Sequence, residues 1–186
     1  MKKDLIVLMG APGAGKGTFA RMLGERKKYC YVETGALLRT LPSDSPIGQM
    51  VARGELVPDE GLFELMHAQI CSGTDVLLDG FPRTLSQAQW LVKSYARDFN
   101  IHVIYLDIPE SVIEHRLNKR HAEGSNRADD ANAAIVQRRI TTFWNITMPA
   151  IEWLRTAPGI KFSDVDVSGP DVNENFANIT TALGKN

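Results

Sequence analysis

LIVLMGAPGAGKGT, residues 5–18, joins a short apolar run to a glycine-rich turn and then to a lysine. The run 5–9 has no polar break, as expected of a strand buried on both faces of a parallel sheet. Beyond the turn, Phe19, Met22 and Leu23 recur at helical spacing. Between them, Gly10 to Lys16 fits G-x-x-x-x-G-K. Glycines there let successive backbone N–H groups point inward, the lysine adds a point charge, and the following helix adds its positive end. Strand, loop, lysine and helix in this order predict a phosphate cradle. One position departs from the common form: Gly17 follows the lysine, where Ser or Thr usually holds magnesium. A hydroxyl arrives only at Thr18.

Further along, 75–79 (DVLLD), 102–107 (HVIYLD) and 160–166 (IKFSDVD) read as strands. Helical patterns separate them. Asp59 after Pro58 is expected to cap a helix carrying Leu62, Met66 and Ile70 on one face. Leu85, Ala88, Val92 and Tyr95 form another stripe. The longest helix is expected from near Asp129 and Asp130, with Ile140, Phe143, Thr147, Ile151 and Leu154 inward and a kink at Pro149. Alternating strands and helices predict an α/β fold with a parallel sheet covered on both faces, its ligand at the carboxyl ends of the strands. Residues 35–72 and the polar stretch 121–128 (HAEGSNRA) stand outside that alternation.

The 186 residues suit one domain, large enough to bury roughly two-thirds of the unfolded surface without a metal or disulfide staple. A net charge of −1 argues against a dedicated nucleic-acid or membrane-surface binder. Cys30 and Cys71 form neither a disulfide framework nor a metal spacing. The start, MKKDLIVLMG, has the basic and apolar order of a signal peptide, but the apolar run stops at the glycine loop. No stretch reaches the roughly 18 apolar residues of a membrane span. The expected location is the cytoplasm, and the expected state a monomer.

The loop in full, G-x-P-G-x-G-K-G-T, resembles that of adenylate kinases and their nucleoside monophosphate kinase relatives. TGALLR (34–39), GELVPDE (54–60), LLDGFPRT (77–84) with Gln87, RLNKR (116–120) and NRADD (126–130) follow in that family's order. These blocks cover nearly the whole chain, and together they resemble a short-lid adenylate kinase. The resemblance implies a P-loop three-layer fold: a five-stranded parallel sheet flanked by helices, with a small helical insert and a short lid. It divides the single domain of 1–186 into a core (1–34, 73–118, 132–186), a segment binding the nucleoside monophosphate (35–72) and a lid (119–131). The reaction implied is reversible ATP + AMP to two ADP, with Mg2+ accompanying ATP.

By the same resemblance, Gly13, Ala14, Gly15, Lys16, Gly17, Thr18, Arg116 and Arg120 would hold ATP, with Arg116 against the adenine. Thr34, Gly35, Arg39, Glu55, Leu56, Val57, Gly80, Phe81, Arg83 and Gln87 would hold AMP. Thr34 and Gln87 would read its base, whereas pyrimidine-specific relatives typically carry alanine and asparagine there. Arg127 and Arg138 would close on the phosphates from the lid. Lys16, Arg83, Arg120, Arg127 and Arg138 would be the catalytic cations, because phosphoryl transfer rests on positioning and on positive charge around the equatorial oxygens. Asp79 would orient magnesium through water, with Thr18 able to assist. The adjacent Arg139 matches no family position and reads as a solvated surface charge. Asp129 and Asp130 either cap a helix or bond across the lid. Asp107 reads as a turn former, and the histidines have no partner at ligand spacing. Residues 121–128 hold no cysteine, so the structural zinc of long-lid relatives is not expected. The chain departs from the family at Glu33, where many relatives have serine, in the shortened 40–52 segment, and in the turn 165–171. Two alternatives stay open: a pyrimidine nucleoside monophosphate kinase on the same scaffold, and a non-catalytic nucleotide-binding module.

Overall fold

A computed structural model describes residues 2–70, 73–122 and 133–184. Its centre is β1 (Lys3–Gly10), whose residues Leu5, Ile6, Val7, Leu8 and Met9 are all buried. Burial of each such side chain contributes about 1.5–3 kcal/mol. Around it lie β2 (Cys30–Glu33), β3 (Val76–Asp79), β4 (Phe99–Asp107) and β5 (Ile160–Asp166). All pairings are parallel, and the sheet order is β2-β3-β1-β4-β5. The chain leaves β1 toward one edge and later returns to the other side, so the switch in strand order falls at β1 itself. The crevice for a ligand therefore opens above the C-terminal end of β1, where the glycine loop lies.

Helices cover both faces: α1 (Lys16–Arg26), α2 (Thr34–Arg39), α3 (Pro46–Ala52), α4 (Asp59–Gln69), α5 (Leu85–Tyr95), α6 (Glu110–Ala122), α7 (Ala133–Thr142), α8 (Met148–Thr156) and α9 (Val172–Ala182). The short α2 and α3, with α4, fill the segment between β2 and β3, which is the part the strand-helix alternation did not accommodate.

Several expectations are corrected. The strand β2 was not read from the sequence: of its four residues only Val32 is fully buried, and its edge position removes the continuous apolar signal. Asp59 does not cap α4. Pro58 occupies the cap position, and the Asp59 carboxylate instead accepts from Gln87 Nε2 at 2.8 Å and from the Ser86 hydroxyl. Leu85 is 39% exposed, and the buried face of α5 runs through Ala88, Leu91 and Tyr95 together with Gln87. The expected long helix is, over its described part, α7 and α8 separated by a π-helical turn at Phe143–Thr147. In that turn the Met148 N–H reaches back to the Phe143 carbonyl. Proline at 149 has no N–H and its ring crowds the preceding turn, so the chain widens just before it. Ile140, Phe143, Thr147, Ile151 and Leu154 are nonetheless all buried, as their spacing predicted.

Candidate active site

A cleft of about 930 Å³ lies along the C-terminal edge of the sheet. Its floor is the loop between β1 and α1. Gly15 precedes α1 with φ 91°, in the left-handed region, and a Cβ there would stand 2.9 Å from the Phe19 ring, so the turn requires glycine. Lys16 Nζ donates to the carbonyls of Gly10 (2.7 Å) and Ala11 (3.1 Å), which holds the ammonium over the loop. Gly13, Gly15, Lys16, Gly17 and Thr18 line the cleft, while Ala14 is fully buried beneath it.

Asp79 closes β3 at the cleft wall and is 6% exposed. A Cβ on Gly17 would lie 3.7 Å from Asp79 Oδ2, so the missing side chain leaves room beside the carboxylate. That donor set fits a hydrated hard cation better than a caged one, because magnesium keeps several waters and leans on few carboxylates. Among the described residues no group of three or more His, Cys, Asp and Glu is placed to hold a metal ion.

Parallel pairing sets Glu33 on β2 in register with Asp79. Between them the Tyr31 hydroxyl lies 3.4 Å from both carboxylates. Burial, then the charges of Asp79 and Glu33, push the Tyr31 phenol well above its usual pKa, so it remains a donor at neutral pH. Glu33 also accepts from Arg39 Nη2 at 2.9 Å. Arg83 Nε donates to the Gly80 carbonyl at 3.0 Å. Glu33, Gly35, Arg39, Gly80, Phe81 and Arg83 all line this side of the cleft, with Glu55 and Leu56 above them.

The proposed acceptor-base residues Thr34 and Gln87 sit behind that wall, together with Val57, around a space of about 20 Å³. This has room for roughly one water molecule, not a purine. Both ends of the Gln87 amide are engaged: Oε1 accepts from the Arg83 N–H (2.7 Å) and Nε2 donates to Asp59. The Thr34 hydroxyl lies 3.5 Å from Met66 Sδ. One N–H and one lone pair of the Gln87 amide stay uncommitted by these two bonds, so a base that reaches it competes with Asp59 only for the second N–H.

At the other end, Arg116 from α6 donates to the carbonyls of Val167 (2.6 Å) and Gly169 (3.1 Å). The turn after β5 completes this end with Ser168, Gly169 and Pro170, joined by Val172 and Asn175 from α9.

The arginines of α7 part from expectation. Arg138 is half exposed and does not line the cleft; its Nη1 donates to Glu55 Oε1 at 3.1 Å. Arg139, read from the sequence as a surface charge, is partly buried and lines the cleft with Thr142, Phe143 and Thr147. Its aliphatic stem packs on Gly54, where a Cβ would stand 3.3 Å from Arg139 Cγ. Neighbouring helix positions point about 100° apart, so only one of the two arginines faces inward. The spacing 139, 142, 143 could have identified it. Arg127, Asp129 and Asp130 lie outside the described residues, as do Cys71 and the side chains of Arg120 and His121.

A parallel sheet, a phosphate loop at its switch point and a cleft with cations on both walls define a P-loop phosphotransferase. A family profile described as adenylate kinase matches residues 8–158. The adenylate kinase of Phocaeicola vulgatus is 33% identical over 190 residues, covering 97% of this chain and 98% of its own. That of Thermus thermophilus is 33% identical over 186 residues, covering 96% of each. A third, from Parvibaculum lavamentivorans, is 36% identical over 182 residues, covering 88% of each. The chain belongs to the adenylate kinase family, and its activity is that of a nucleoside monophosphate kinase. No helix among the described residues is long and apolar enough to cross a membrane.

Proposed function

We propose that the chain moves the terminal phosphoryl group of ATP reversibly onto AMP, giving two ADP. One observation carries this reading: a single cleft is lined by the Lys16 loop, by the Arg39 and Arg83 wall, and by Arg116 with the turn after β5. ATP phosphates lie on the loop N–H groups and Lys16, and the AMP phosphate between Arg39 and Arg83. The attacking atom is an AMP phosphate oxygen, already ionised, so no protein base is needed. Its new bond to the terminal phosphorus replaces the bond to the bridging oxygen of ATP, and ADP departs on each side. Lys16, Arg83 and an α7 arginine offset the charge spread over the equatorial oxygens. We assign that α7 role to Arg139 in place of Arg138, and retain Arg120 and Arg127 as its lid counterparts. Asp79, with Thr18, would orient a water-shelled magnesium ion, which would supply positive charge to offset that of the ATP phosphates. Residues 35–72 and 119–131 are proposed to close over AMP and ATP respectively, which excludes water and prevents hydrolysis.

Initial rates with ATP against AMP, CMP, UMP and GMP test the acceptor. AMP is expected to turn over fastest; faster turnover of CMP or UMP would replace this reading with a pyrimidine monophosphate kinase.

Glu33 competes with the acceptor phosphate for Arg39. Glu33→Gln keeps the size and removes that charge, so the KM for AMP is expected to fall by about two- to fivefold, the range of an exposed ion pair. Turnover at saturating AMP should stay unchanged. An unaltered or raised KM would show that Arg39 does not meet the phosphate.

A further inference from the structure

Asn175 projects from the second turn of α9 and is 4% exposed, yet it lines the donor end of the cleft. Its Nδ2 donates to the Gly169 carbonyl at 2.9 Å. A carbonyl only accepts, so this bond fixes which end of the amide is nitrogen. Oδ1 is left with no donor among the described residues. It stands 3.0 Å from where a Cβ on Gly169 would be, in space that glycine leaves open. A buried acceptor without a donor is costly, and such groups in native proteins generally have a partner.

The nearest acceptor, the carbonyl that Asn175 itself meets, is already in use. The Gly169 carbonyl has two lone pairs and takes Arg116 Nη2 at 3.1 Å as well as Asn175 Nδ2. The Ser168 hydroxyl both donates and accepts, so it does not discriminate between ligands. Arg116, held by the two carbonyls of this turn, presents a planar guanidinium on which an aromatic base stacks.

We propose that Asn175 is a specificity-determining residue for the donor, its Oδ1 accepting from the exocyclic amino group of the base. It therefore selects a 6-aminopurine over a 6-oxopurine, whose carbonyl would face Oδ1 acceptor to acceptor. This rests on the reading above that the donor nucleoside lies against Arg116.

Inosine triphosphate differs from ATP by a ring carbonyl in place of that amino group. With saturating AMP, kcat/KM for ATP is expected to exceed that for inosine triphosphate by at least about tenfold in the wild type. Asn175→Leu removes acceptor and donor together. It should bring the two donors within about threefold, with the KM for AMP unchanged. Asn175→Asp keeps an acceptor toward the base but has no donor for Gly169, and it should retain the preference for ATP. Should Asn175→Leu melt below assay temperature, Asn175→Ala takes its place. Equal use of both donors by the wild type would overturn the proposal. So would full preference in Asn175→Leu, or equal loss in the Leu and Asp variants, which would reduce Asn175 to a tie for the turn. No transfer to AMP from either donor would instead refute the underlying reading.

Discussion

Lys16→Met is expected to lower turnover by roughly 10³-fold or more, with the melting temperature changed by only a few degrees. In the structure the Lys16 ammonium is held over the loop by the Gly10 and Ala11 carbonyls. Its position at the start of α1 adds to the positive helix end, so the charge is placed before any phosphate arrives. Methionine keeps the apolar stem and the helix propensity while removing the charge, which isolates the electrostatic contribution. Steady-state kinetics with a melting curve checks this. A variant that loses its fold would show Lys16 to be structural, and one that keeps within tenfold of wild-type turnover would remove it from the chemistry.

The second large effect separates two adjacent residues. Arg139→Ala should cost about 10³-fold in kcat, whereas Arg138→Ala should stay within about fivefold. Arg139 faces the cleft beside Thr142 and Phe143, while Arg138 is half exposed and paired with Glu55. An exposed pair of that kind contributes at most ~1 kcal/mol. Arg139→Lys should recover only part of the loss, because an ammonium lacks the planar fork that meets two phosphate oxygens at once. If the larger loss fell on Arg138, α7 would have to rotate by about 100° during closure.

That pair also shows where sequence reading ran out. The loop before Lys16 was legible because strand, glycines, lysine and helix are contiguous, and local order alone specifies the cradle. Asp79 was legible for a similar reason: a carboxylate directly ending an apolar strand must reach the sheet edge. On α7, the family resemblance favoured Arg138, whereas the periodicity of the buried face from Ile140 onward leaves Arg139 beside the cleft. A one-residue difference is invisible to a block match but turns a side chain from cleft to solvent. The strand β2 was missed because an edge strand with one fully buried residue carries almost no apolar signal. Asn175 was unreadable for another reason. It belongs to no motif, and it matters only because the turn after β5 folds Gly169 back onto its amide. Glu33 was noticed as a departure, but its pairing with Arg39 needs the strand end and the helix α2 in place together.

Direct transfer is the central claim, and phosphorus NMR of the protein with equimolar ATP, AMP and magnesium tests it most directly. The account predicts that ATP and AMP signals decline together and that ADP alone rises, two molecules for each ATP consumed, with no inorganic phosphate. Accumulation of inorganic phosphate while AMP persists, or no change in either nucleotide, would contradict it.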